Sequence, residues 1–326
     1  MNKNTSQSTV ALVDVKPTEL PQTSALVAQV VAGLCQSPKR LPSKLLYDDR
    51  GSQLFEAICD LPEYYPTRTE IGILQQNADD IVQQIGPQAR LIEFGSGWSI
   101  KTRILLDALD NLVGYIPIDI SCEPLLESVH KLRRAYPDLA VSSLCIDYDQ
   151  PFSLPESERP AQRQVAFFPG STIGNFTPLE AQHFLKRIAD LVGPQGALLI
   201  GVDLRKDPAL LIPAYNDSQG VTAQFNLNLL YRLNRELGSN FAPENFQHQA
   251  IWNKAESRIE MHLVSDMSQQ LQIDEHEVCL TKGESICTEY SYKYTLETFA
   301  SIVKPFTVQK VWLDENSLFS VQLLTL

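Results

Sequence analysis

The chain has 326 residues, 44% of them hydrophobic and 20% charged, so it describes a folded globular protein with one large core or two smaller ones. Its 27 basic residues stand against 39 acidic ones, a net charge of −12 with no basic run, which argues against a nucleic-acid partner.

Residues 1–22 are polar and read as a mobile lead-in, without the basic-then-apolar layout of a signal peptide. Residues 24–34 read as a helix, too short to span a membrane, and residues 42–66 as a segment rich in aromatics and prolines. A further helix occupies residues 70–85 and stops at Gly86-Pro87. Strands and helices then alternate. Strands are predicted at 90–94, 114–120, 139–147, 164–170 and 196–204, with helices at 101–109, 122–136 and 179–192 between them. That rhythm predicts a doubly wound, mostly parallel α/β sheet of the Rossmann-like kind. In such sheets ligands bind beyond the carboxyl ends of the strands, where Gly95, Asp119, Asp147, Asn175 and Asp203 all fall.

After Asp203 the rhythm breaks. Residues 204–245 read as helical and polar, and residues 249–294 alternate apolar and polar like antiparallel strands. The last 21 residues read as two strands around an Asp-Glu-Asn-Ser turn, a terminal pair typical of methyltransferases that use S-adenosylmethionine (SAM). The expected division is a SAM-binding domain of residues 69–203 and 295–326, with an inserted α+β substrate-binding domain of residues 23–68 and 204–294.

The chemistry-bearing stretch is RLIEFGSGWSIKTR, followed by YIPIDIS. An apolar run ends in an acid and a Gly-x-Gly turn, and the next strand closes on Asp119, an acceptor for ribose hydroxyls. Ile100 replaces the third glycine of the dinucleotide fingerprint, and Glu93 precedes the turn, where a pyrophosphate would meet a negative charge. Both features favour SAM, a sulfonium without phosphate, over a nicotinamide cofactor. By spacing alone, Gly95 also suits a plain tight turn, Lys101 an exposed helix position, and Asp119 and Asp147 helix N-caps. The six cysteines contain no C-x-x-C pair and read as buried free thiols of a reducing, cytoplasmic compartment. The five histidines have no metal-ligand spacing, and no metal is expected.

Six stretches together closely resemble the histidine-specific Nα-methyltransferases of the ergothioneine pathway. They are LPSKLLYDDRGSQLFEAICDLPEYYPTRTE, IEFGSGWSIKTRILLDAL, FFPGSTIGNF, LIGVDLRKD, AYNDSQGVTAQFNLNLLYRLNRELGSNF and TEYSYKY, in order from about residue 41 to the C-terminus. The resemblance implies SAM as cofactor, with Gly95 and Lys101 around its methionine part, Asp119 on the ribose, and Asp147 with Tyr148 on the adenine. It implies that Tyr47, Phe55 and Tyr64 stand beside the amino acid. Asn175 and Tyr215 would grip its α-amino and α-carboxylate groups, Glu289 and Ser291 its imidazole, and Met261 would complete the pocket. Trp98 departs from the family, where a small residue is usual at that place.

The implied reaction is trimethylation of L-histidine to hercynine, with Tyr47 and Asn175 orienting the nitrogen lone pair, water taking the proton and the histidine binding as a small molecule to a monomer. Two other readings stay open at this point: a SAM-dependent methyltransferase of another amino acid such as tryptophan, and a non-catalytic SAM-binding regulator.

Overall fold

The computed structural model describes residues 23–97, 100–109, 111–156 and 159–326. The predicted lead-in and Trp98 lie outside these residues.

In chain order, helix α1 (Thr23–Cys35) leads through the short strand β1 (Lys39–Arg40) and a 3-10 turn (Ser43–Leu46) into helices α2 (Asp49–Cys59), α3 (Tyr65–Gln76) and α4 (Ala78–Ile85). The alternating segment follows as β2 (Ala89–Phe94), α5 (Ile100–Ala108), β3 (Gly114–Asp119), α6 (Cys122–Ala135), β4 (Leu144–Cys145), β5 (Arg163–Phe168), α7 (Pro178–Val192) and β6 (Ala197–Asp203). Next come α8 (Pro208–Tyr215), α9 (Val221–Leu237), β7 (Phe246–Asn253), β8 (Arg258–Ser265), β9 (Gln269–Ile273), β10 (His276–Leu280) and β11 (Ser285–Tyr292). Helix α10 (Leu296–Ile302) and strands β12 (Thr307–Leu313) and β13 (Phe319–Thr325) close the chain.

Seven strands form the main sheet in the order β12-β13-β6-β5-β2-β3-β4. From β2 to β6 the pairing is parallel, and β13 runs antiparallel to β6, with Phe319 opposite Asp203. All seven residues of β6 are buried, as expected of a central strand covered on both faces. Chain direction across the sheet reverses between β2 and β5, so the crevice for a ligand opens at their carboxyl ends. A second sheet, β1-β11-β8-β7, stands beside it, with β9 and β10 forming a separate hairpin.

Three expectations need correction. The helix predicted at 70–85 is two helices: α3 starts already at Tyr65 and ends before Asn77, whose side chain donates to the Ile73 carbonyl at 2.8 Å and caps the broken turn. Helix α3 therefore also runs through the expected domain boundary at residue 68. The strand predicted at 139–147 shrinks to Leu144–Cys145 plus one bridge at Val141, because it lies at the sheet edge with a single neighbouring strand to pair. The cysteines are not all free thiols. Cys122 and Cys145 form a disulfide with Cα atoms 5.2 Å apart, and Cys35 and Cys279 are exposed.

Candidate active site

The turn after β2 is built by the backbone. Gly95 (φ +70°) and Gly97 (φ +41°) occupy the left-handed region, and nothing lies within 4 Å of where a Cβ would project from either. The N–H groups of Gly95 and Ser96 donate to the Ile118 carbonyl at 2.8 and 3.2 Å, tying the turn to the end of β3. Gly97 N–H then donates to Asp119 Oδ2 at 3.1 Å, while Ser121 N–H holds Oδ1 at 2.8 Å. Burial raises the Asp119 carboxyl above its ordinary range despite these backbone donors. Glu93 is fully buried and takes the hydroxyls of Thr102 (2.5 Å) and Tyr115, on α5 and β3.

Lys101 projects from the first turn of α5 to Glu70 Oε2 on α3 at 2.6 Å. Glu70 also accepts the Gly170 N–H, at 2.9 Å, which fixes the loop after β5 against the glycine turn. Asp147 accepts Lys44 Nζ at 2.7 Å and the Asp149 N–H at 3.0 Å. Lys44 belongs to the 3-10 turn just before Tyr47, so this ion pair joins the two halves of the site. Tyr148 packs edge-on against Phe94 and Phe168 and at a tilt against Phe184.

The second half is made of side chains. Asp48 accepts the Gly51 N–H at 2.8 Å as the N-cap of α2, and Asn228 Nδ2 at 2.7 Å from α9, fixing α2 against that helix. Tyr47, at the end of the 3-10 turn, packs on Phe55 from α2 (5.4 Å between centroids) and Phe225 from α9 (5.5 Å). Phe55 continues to Tyr64 at 6.1 Å, and Tyr64 to Tyr215 at 6.3 Å. Burial, and after it the Glu289 charge, push the Tyr47 hydroxyl well above its ordinary value.

Strand β11 supplies the polar wall. Side chains alternate along a strand, so Glu289, Ser291 and Lys293 share one face while Tyr290, Tyr292 and Tyr294 take the other. Met261 on β8 stands in register with Glu289. The short turn of residues 172–175 that carries Asn175 rests directly on this strand. A Cβ on Gly174 would stand 2.8 Å from the Tyr292 carbonyl oxygen and 3.6 Å from Ser291 Oγ, so only glycine fits. Burial pushes the Glu289 carboxyl up to about 7, with Lys293 pulling the other way.

Behind that wall lies a network in which Tyr215, Ser291 and Asp203, named from the sequence, are joined by Lys293, Lys206 and Tyr65, which were not. The Tyr215 hydroxyl and Ser291 Oγ are 2.7 Å apart, and Lys293 Nζ is 2.7 Å from each. Lys293 also pairs with Asp203 Oδ2 at 2.8 Å. Asp203, fully buried at the end of β6, further accepts Lys206 Nζ at 2.5 Å and the Tyr65 hydroxyl at 2.7 Å. Burial pushes the Asp203 carboxyl up and the Lys293 ammonium down, but their mutual attraction prevails and each shifts towards its charged form. Lys293 sits inside TEYSYKY, and the alternation that puts it on the same face as Glu289 and Ser291 is the signal that could have found it.

The sequence-named residues thus fall into two groups. Gly95, Lys101, Asp119, Asp147 and Tyr148 gather at the carboxyl ends of β2, β3 and β4. Tyr47, Phe55, Tyr64, Asn175, Tyr215, Met261, Glu289 and Ser291 gather around β11. The first group fits SAM: an open glycine turn, an acid at the ribose position, and a lysine already neutralised by Glu70 where a phosphate-binding site would want a bare cation. Among the described residues no cluster of His, Cys, Asp or Glu is placed to hold a metal ion, and no described helix is long and apolar enough to cross a membrane.

A parallel sheet with this glycine turn and acid, completed by the antiparallel β13, has the architecture of a SAM-dependent methyltransferase. A family model described as histidine-specific, SAM-dependent methyltransferase matches residues 26–326. The chain is 39% identical over 306 residues to the histidine N-alpha-methyltransferase of Mycobacterium tuberculosis, covering 92% of this chain and 94% of that protein. The enzyme of the same name from Mycolicibacterium smegmatis matches with the same identity and coverage. Ergothioneine biosynthesis protein 1 of Neurospora crassa is 40% identical over 205 residues, 62% of this chain and 23% of that protein. The chain belongs to the family of SAM-dependent, histidine-specific methyltransferases.

Proposed function

We propose that the protein trimethylates the α-nitrogen of L-histidine to hercynine, the first step of ergothioneine synthesis, and that it does so as a cytoplasmic monomer with the substrate domain outlined above. The observation that carries the substrate assignment is Glu289, a buried carboxylate on the same strand face as Ser291 and opposite Met261. A buried acid is costly unless a donor meets it, and an imidazole N–H is such a donor.

When bound, SAM would supply a sulfonium methyl group for in-line displacement, the nitrogen–carbon bond forming as the carbon–sulfur bond breaks and the neutral thioether S-adenosylhomocysteine leaving. The chain's own work is alignment and exclusion of water, with reacting atoms held roughly 3–3.5 Å apart. Gly95, Lys101, Asp119, Asp147 and Tyr148 would hold the cofactor. Asn175 and Tyr47 orient the amine, and Tyr215 holds the carboxylate. Because burial keeps the Tyr47 hydroxyl protonated at neutral pH, it acts as a hydrogen-bonding guide and not as a base, and water carries the proton away. The rings of Tyr47 and Phe55 tolerate the fixed cation of the trimethylated product.

The test is turnover of L-histidine by purified protein with SAM, read by NMR of the product. The expected product carries all its new methyl groups on the α-nitrogen. Methylation of a ring nitrogen, or no turnover with SAM bound, contradicts the assignment.

A further inference from the structure

Lys293 has a side chain that is 0% exposed and lies between the substrate wall and Asp203. An ammonium donates three hydrogens and accepts none. Its three partners, Asp203 Oδ2, Tyr215 OH and Ser291 Oγ, use all three. Both hydroxyl oxygens therefore accept from Lys293, and each keeps one proton of its own. One of those protons fills the 2.7 Å contact between the two hydroxyls. Among the described residues neither hydroxyl has a further hydrogen-bond partner, so the other proton is left for a ligand.

The charge count points the same way. Asp203 is one carboxylate in direct contact with two ammonium groups, Lys293 and Lys206. The next acids, Glu289 near Lys293 and Asp314 near Lys206, act only at longer range, and burial pushes Glu289 towards its neutral form. The directly paired cluster therefore holds a surplus positive charge next to the hydroxyls. Such a surplus is unfavourable in a dry interior until an anion approaches. We propose that Lys293 is a positioning residue that, with the Ser291 proton held between the two hydroxyls, leaves the Tyr215 hydroxyl as a cation-backed donor for the substrate's α-carboxylate, so that the site selects free α-amino acids over amines and amides. This inference rests on the histidine reading above. It makes carboxylate recognition a property of a residue that never touches the substrate.

The experiment is calorimetric binding of L-histidine, histidine amide and histamine to the full chain saturated with S-adenosylhomocysteine. The wild type should prefer histidine to both neutral-ended analogues by at least about ten-fold, as for a charge-assisted hydrogen bond. Lys293→Met should weaken histidine by at least about ten-fold while leaving histamine and the cofactor nearly unchanged, so that the preference collapses. Lys293→Gln, which keeps two donors without the charge, should fall in between, and it stands in if the methionine variant does not fold. A wild type indifferent to the carboxylate overturns the inference, as does a folded variant that keeps the preference or loses all three ligands equally. If the wild type binds another amino acid instead, the histidine reading fails on its own, and that amino acid with its decarboxylated amine tests Lys293 separately.

Discussion

The two halves of the site are built from different materials. The cofactor half is backbone: N–H groups of Gly95, Ser96 and Gly97 reach the end of β3, and its geometry follows from strand ends and positive φ. The substrate half is side chains: Ser291, Lys293, Tyr215, Asp203 and Tyr65 hold one another in a buried, charged lattice beside Glu289. A backbone site tolerates change in the residues around it. A side-chain lattice depends on each member, because removing one leaves another buried and unpaired.

Substitutions on each side should therefore separate the two ligands. The largest effect is expected from Glu289→Ala. Histidine kcat/KM should fall by about 10³–10⁴, the discrimination available to a site built on a buried hydrogen bond, while SAM affinity stays within about two-fold. Steady-state kinetics with calorimetry of SAM checks both numbers, and a parallel loss of SAM affinity erases the distinction between the halves.

The mirror experiment is Asp119→Ala, expected, on the proposal that Asp119 takes the ribose hydroxyls, to weaken SAM by about ten- to a hundred-fold through the lost charge-assisted hydrogen bonds. Equilibrium binding measures it. Between the halves stands Gly174, where alanine forces a Cβ to 2.8 Å from the Tyr292 carbonyl oxygen. Overpacking of that kind should cost about 1–3 kcal/mol in urea unfolding and weaken histidine more than SAM.

The smallest effect is one of pH. Glu289 titrates near 7 in the folded protein against an ordinary 4.5, so folding prefers its protonated form. Below pH 4.5 the group is neutral in both states. As pH rises from 4.5 to 7 the unfolded chain gives up this proton while the folded protein keeps it, so stability falls across that window and the loss is complete above pH 7. Glu289→Gln should therefore stabilise the ligand-free protein at pH 8 by roughly 1–2 kcal/mol, with no gain at pH 4, while abolishing the loss of histidine kcat/KM that Glu289 protonation causes below pH 7. A variant equally stabilised at both pH values contradicts the assigned titration.

The parallel sheet was readable because apolar runs of strand length alternate with helix-length periodicity, and the glycine turn because positive φ demands glycine. What escaped depended on distant partners. The break at Asn77 is invisible in a continuous apolar period, since it rests on a side-chain cap to Ile73. The Cys122–Cys145 disulfide joins residues that only the pairing of β4 beside the end of β3 brings together. Lys293 looked like one more charge in a tyrosine-rich strand. Its role emerges only when Asp203, from the end of β6, arrives beneath it, 90 residues earlier in the chain. Glu289 and Ser291 were reached through the family motif and not by their own pattern, because an acid in an alternating strand usually faces water.

The most direct measurement gives the purified protein SAM and an equimolar mixture of the standard amino acids and identifies every methylated product by mass spectrometry. The account predicts histidine alone, carrying three methyl groups, with the monomethyl and dimethyl forms as transients. Methylation of tryptophan or any other amino acid in preference to histidine would contradict the reading of Glu289 and Ser291 as an imidazole site.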